Sequence, residues 1–417
     1  MKKITRLAAL LLLVVPVIFT ACVKDNCSRL RTYSFYEPVY KTKDEVRANI
    51  KSLPARTVNN PGKLYIFGSY IFLNDKDKGI HVIDNSNPAS PLNIAFIEIP
   101  GNLDLAVKGN TLYADLYTDL VTIDISNPAQ VVLKKVSENV FPYRYWGGGF
   151  SNTNPDSIIT DWMRKDTTVK EDCNQNRYIT FTTDVFFAGN SGSLASVSPI
   201  GQGGSMARFT IMGNRLYTVS DQGLDVFDIS NAQNPVSTNR VNIGWDIETI
   251  YPFRDKLFIG SMTGMFIYNV SNPDAPAPAG QFNHVRTCDP VIADDDYAYV
   301  TLRSGTPCRG FTNELDIVDI RNIFDPRLLK VYGMQNPHGL SKDGDLLFIC
   351  DGTAGLKIFN ASDVHNLVPA GTINGISTYD VICRNNIALV VAEDGLYQYD
   401  YSNLQNIRLL SKLAIRD

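Results

Sequence analysis

Five residues that could share one piece of chemistry hold equivalent places in a repeated unit of this chain. They are Asp104, Asp246, Asp289, His338 and Asp380. Each stands at the start of the segment expected to be the innermost strand of its unit. Arg208 and Lys63 hold that place in two further copies, and Glu248 lies near Asp246. Clustered carboxylates coordinate hard cations such as calcium. Brought together, they also raise one another's pKa, which suits acid–base work. The plainer alternative is a set of charges solvated at a wet channel mouth. Trp245, beside Asp246, is the expected exposed aromatic platform near this ring.

A repeated phrase fixes the elements that position these residues. Asp84-Asn85-Ser86-Asn87-Pro88 returns at Asp124, at Asp228 and at Asn269. In the second copy, residues 103–107 read as a first strand, Gly109-Asn110 as a hairpin turn and 111–117 as a second strand. Residues 120–124 make a third strand, ended by Ser126-Asn127-Pro128, and 131–136 a fourth. Ser and Asn side chains bond the turn backbone, and Pro cannot continue a central strand. Four short antiparallel strands in about 40 residues make one blade of a β-propeller.

Asp84, Asp124, Asp228, Asn269, Asp319, Asn360 and Asp400 end the third strands, at spacings of 40, 104, 41, 50, 41 and 40 residues. The expected fold is therefore all-β, a propeller of seven blades over residues 61–417. The step of 50 enlarges a hairpin in blade five. The step of 104 places a large insertion, residues 141–204, between blades two and three. An eighth, degenerate blade inside that insertion is the alternative. Within 31–60, residues 33–40 read as an outer strand and 43–50 as a short helix, both packed near the propeller's seam.

The third strands Leu315-Asp316-Ile317-Val318-Asp319 and Leu120-Val121-Thr122-Ile123-Asp124 resemble the LVIVD repeat family. The resemblance covers about residues 61–417 and implies a propeller in a secreted or lipid-anchored bacterial protein. Blades six and seven keep the strand pattern but lose the Ser-Asn-Pro turn. The repeat brings no catalytic residues with it.

Lys2, Lys3 and Arg6 precede an apolar run at 7–19, which ends in Thr20-Ala21-Cys22. This resembles a bacterial lipoprotein signal, so residues 1–21 are expected to be removed and Cys22 acylated. Residues 22–60 then form a tether and extension. The implied location is the outer membrane, facing periplasm or cell surface. Six cysteines remain in an oxidising compartment. Cys288 with Cys308 is the expected bridge, with Cys27–Cys173 and Cys350–Cys383 as further pairings.

A net charge of −4 without a basic stripe argues against nucleic acid. No phosphate loop, nucleophile elbow or zinc-spaced Cys/His cluster is present, and His81 reads as packed in a strand. Fourth-to-first connections and second-to-third hairpins share one face, so the insertion and the enlarged hairpin are expected to crowd the ring. The insertion also carries Phe141, Tyr143, Tyr145, Trp146 and Phe150, read as packing it onto the propeller. The resulting reading is a non-enzymatic binding or scaffolding protein, its protein or glycan partner held on that face. The alternative is an enzyme acting on an extracellular polymer through the ring. No cofactor is expected beyond calcium at the channel mouth.

Cells fed an alkyne-tagged fatty acid should label the chain, and Cys22→Ala should abolish the label and release the body from the membrane fraction.

Overall fold

The computed structural model describes residues 28–142, 156–172, 201–284, 290–305 and 310–415. The chain divides into two units, residues 1–40 with 159–183 and residues 41–158 with 184–417. Among the described residues no helix is long and apolar enough to cross a membrane.

In the first unit, the strand Ser28–Thr42 pairs with Ser157–Asp172 as a two-stranded ribbon. Ser34 donates to Asp166 Oδ1 at 2.6 Å, and the Thr32 and Thr168 hydroxyls lie 2.9 Å apart. The aromatic segment 33–40 thus pairs with the insertion rather than adding to a blade, as had been expected.

The second unit holds seven sheets, each of four consecutive antiparallel strands, at 61–98, 105–137, 209–242, 247–283, 291–333, 340–373 and 378–414. The first strand of each blade touches the first strand of the next, and that of blade seven touches blade one. This contact order closes a ring with the first strands innermost. The described part of the insertion contributes no eighth blade. Blade one gains a strand on each side: Lys51–Pro54 outside Leu92–Glu98, and Gln202–Gly203 inside Pro61–Phe67.

The repeated phrase does one job in every copy. Asp84, Asp124, Asp228, Asn269, Asp319, Asn360 and Asp400 each accept the backbone N–H two residues on, at 2.7–3.0 Å. The following Asn or Asp then opens a second turn closed by a backbone bond three residues later. Each such bond contributes about 1 kcal/mol. Blades six and seven keep this geometry with Val364 and Leu404 in place of the Pro, because Asp363 and Asn403 cap the second turn as Asn87 and Asn127 do. All seven third-to-fourth strand pairs carry a register shift just before the anchor. A bulge there increases the right-handed twist that blades need.

Third strands such as Gly79–Asp84 are buried along their length because blades cover both of their faces. Their sequences are therefore near-continuously apolar. Fourth strands such as Val236–Asn242 are mostly exposed. The core lies between blades: Tyr65, Leu112 and Phe209, from blades one, two and three, share one cluster.

At the seam, Val58 pairs in parallel with Ile415, and Ser411 donates to the Pro88 carbonyl at 2.7 Å. Of the extension, Val58 thus reaches the seam. The helix Lys43–Arg47 instead docks on blade two, where Arg47 meets Asp119 at 2.8 Å and Glu138 at 2.5 Å. His81 is packed as expected, fully buried beside Asp75 and Asn93.

The Cys350–Cys383 pairing is corrected: both are free thiols buried among Phe348, Val381 and Val390. They sit on the second strand of blade six and the first strand of blade seven, within a packed apolar interface that holds them as small hydrophobes. Cys27, Cys173, Cys288 and Cys308 lie outside the described residues. Peptide mapping after iodoacetamide, without reductant, should find Cys350 and Cys383 unmodified in the native protein and both alkylated in denaturant.

Candidate functional site at the channel mouth

The return leg of the insertion runs inside the ring. Gln202 and Gly203 pair with Ile66 and Tyr65, and Gly204 N–H donates to the Leu64 carbonyl at 2.6 Å. The leg therefore climbs the channel from the far end of blade one's inner strand to the end where the inner strands begin. There Ser205 reaches blades six and seven, accepting from Leu340 N–H at 2.6 Å and donating to Asp380 Oδ1 at 2.6 Å. The Arg208 N–H donates to Asp104 Oδ2 of blade two, and the Ala207 carbonyl accepts from Ile250 of blade four. The insertion leaves blade two at Phe141, which stacks 5.4 Å from Phe209 and is buried, as its packing role required. Its return leg lies in the channel, where the insertion had been expected on the ring-bearing face. Tyr143, Tyr145, Trp146 and Phe150 lie outside the described residues.

Glycine makes this passage possible. A Cβ on Gly204 would stand 2.1 Å from Asp380 Oδ2, and one on Gly201 would strike the Tyr65 ring. Gly339 is pressed equally close, with Asp380 Oδ1 at 2.2 Å and Ser205 Oγ at 2.3 Å from its would-be Cβ.

The sequence-derived ring separates into two layers. Asp104, Asp380 and Lys63 are buried below, at 2%, 1% and 4% exposure. Lys63 lies within Coulomb reach of both carboxylates. Burial dominates all three groups: it lowers Lys63 and raises both acids, against the pull of the opposite charges. Lys63 Nζ, Asp380 Oδ2 and Arg208 Nε are buried there without hydrogen-bond partners.

Above lie groups that the sequence ring contained only in part. His338 is buried, its ring 5.4 Å from Tyr379 of blade seven and its Nε2 3.2 Å from the Asn336 amide. Burial, then Arg303 and Lys76, depress it to about 3. Arg303 feels Glu248 of blade four and Tyr379. Asp246 has a positive φ of 58° in the connection between blades three and four, and its charge helps burial raise Asp221. Trp245 is 72% exposed, as expected of a platform. Phe311, 97% exposed in the enlarged hairpin of blade five, joins it on this face.

Asp289 lies outside the described residues. Among the described residues no three His, Cys, Asp or Glu side chains gather to hold a metal ion. Sequence reasoning missed Ser205, Gly204, Gly339, Lys76 and Arg303. Only Gly201-Gln202-Gly203-Gly204 carried a signal, a run too small in side chains for anything but close packing.

Asp380 holds its proton more tightly folded than unfolded, so its contribution is full below about pH 3.8 and lost as pH rises through about 7. The thermal stability of the native chain relative to Asp380→Asn should therefore fall across that window. Melting curves taken between pH 4 and 8 would check it, and a gap independent of pH would contradict it.

The LVIVD repeat model matches residues 62–95, 102–137 and 203–243, which are blades one, two and three. The third match takes in the plug from Gly203 onward. No curated protein matches the chain. Among solved structures, a protein from Lactobacillus plantarum is similar at 13% identity, covering 85% of this chain and 97% of that one, with a TM-score of 0.55. The computationally designed Ika8 protein is similar at 9% identity, covering 87% of this chain and 88% of that one, with a TM-score of 0.51. At such identities the likeness concerns fold alone. Blade order, ring closure and the matched repeats agree: the chain carries LVIVD repeats in its first three blades, and its second unit is a seven-bladed β-propeller.

Proposed function

We propose that this is a lipid-anchored extracytoplasmic propeller acting as a binding or scaffolding protein. Cys22 would carry the anchor at the outer membrane. The partner, a protein or glycan, would be held on the face where inner strands begin. The observation that carries this reading is the exposure of Trp245 and Phe311, at 72% and 97%, on loops that a rigid ring positions there. Aromatic side chains so placed stack on sugars or anchor a protein partner. The enzymatic alternative asks Asp104, Asp246, Asp289, His338 and Asp380 to act together. Asp104 and Asp380 are instead buried and bonded to the plug, which favours binding.

The test is a screen of residues 23–417 against envelope glycans, with photocrosslinking in cells from position 311 and, as control, from Leu92. Trp245→Ala with Phe311→Ala should weaken partner binding about 30-fold or more while leaving the melting temperature unchanged. Equal capture from Leu92, or binding indifferent to both aromatics, would sink the reading.

A further inference from the structure

Most neighbouring blades are tied to one another by the chain. Short connections do this, such as residues 374–377 between blades six and seven, and the insertion links blades two and three. Blade seven meets blade one with no such link: Asn85 and Gln398, which bond there, lie 313 residues apart. Connectivity does not choose the neighbour at this seam, so side chains must.

The residue after each third-strand anchor turns toward the preceding blade, as Tyr401 does in donating to Asp343 Oδ2 of blade six at 2.6 Å. In blades two to seven that residue is apolar or aromatic and buried: Ile125, Ile229, Val270, Ile320, Ala361 and Tyr401. Two residues before the anchor, blades one to six carry Val, Thr or Ile. Across each interface these positions come together in the core. Val82 shares one apolar cluster with Ile125, Val226 with Val270, Ile267 with Ile320 and Ile358 with Tyr401.

At the seam both positions are amides. Asn85 Nδ2 donates to Gln398 Oε1 at 3.0 Å, and Gln398 Nε2 donates to Asn85 Oδ1 at 2.7 Å. Gln398 is 1% exposed, and its Nε2 also donates to Ser411 Oγ at 3.2 Å. Ser411 in turn donates to the Pro88 carbonyl of blade one. Each amide is satisfied by the other, and neither finds an equivalent partner on any other blade.

We propose that Asn85 and Gln398 form a closure lock, which admits blade one as the partner of blade seven and so sets the ring at seven blades. A ring of six without blade seven would press Asn85 against Ile358. One without blade one would press Gln398 against Ile125. Either arrangement buries a stranded amide, which disfavours it about tenfold or more. An apolar pair would hold the seam as tightly, but it would hold other blades equally well. Buried polar pairs specify register in this way, by penalising the wrong neighbour. Misassembly is the characteristic failure of repeat folds, and the lock stands at the interface most open to it. This inference goes beyond the proposed binding role and does not depend on it.

The experiment refolds residues 23–417 from denaturant at several protein concentrations. Size-exclusion chromatography with light scattering sorts the species, and hydrogen exchange reports the seam at residues 85–88 and 408–414. Asn85→Ile and Gln398→Ile should each lower the melting temperature and speed exchange at the seam about tenfold or more, since each strands one amide. Combined, they rebuild the Ile320–Ile267 arrangement of blades four and five. The double variant should regain most of the melting temperature, yet about tenfold more of it should refold as open, mispaired or multi-chain species. Asn85→Gln with Gln398→Asn keeps a reciprocal pair and should refold as the native chain does. This exchange variant keeps the comparison decisive where a single variant fails to fold. A double variant that refolds to the native species in native yield would overturn the lock. So would an exchange variant that misassembles as often as the double one.

Discussion

The contact on which the channel mouth depends is the burial of a glycine-rich backbone against Asp380. A ring of seven first strands turns an unpaired backbone edge toward its axis, and buried N–H and C=O groups need partners. The return leg of the insertion supplies some of them: Gln202 and Gly203 pair with blade one, and Gly204 bonds the Leu64 carbonyl. Ser205 then ties blades six and seven through Leu340 and Asp380. Arg208 brings in blade two through Asp104. One short segment thus joins most of the ring, and its fit requires that Gly204 and Gly339 carry no side chain.

That plug also decides the electrostatics above it. Filling the axis removes Asp104 and Asp380 from water, where an unpaired carboxylate is costly. Lys63 answers them from the same buried layer. Above the plug, Lys76 and Arg303 share the mouth with the carboxylates of Asp221, Asp246 and Glu248 and with a neutral His338.

The rest of the ring is held by a device repeated seven times. Each third strand ends in a residue whose side-chain oxygen bonds the backbone two places on, just after a bulge that twists the outer strand away. The device tolerates sequence change because only one short acceptor is needed. Asp363 and Asn403 keep it in blades six and seven, where Val364 and Leu404 stand in place of the Pro. The seam needs no exchanged strand, since blades one and seven are each complete and Val58 bridges to Ile415.

Fold class, blade count and the positions of the third-strand turns were determined by the sequence itself, because strand, turn and anchor are local and recur every 40 or so residues. The alignment of repeats also brought Lys63, Asp104, Arg208 and Asp380 to one end of the channel, since equivalent positions in a ring converge. Tertiary structure alone decided which of them see solvent. No local pattern shows that residues 201–208 leave their neighbours in sequence and fill the axis beside blade one. Nor does any pattern show that Ser28–Thr42 pairs with the insertion. Those contacts join residues more than a hundred positions apart, and their energy comes from burial and charge pairing that exist only once the ring has closed.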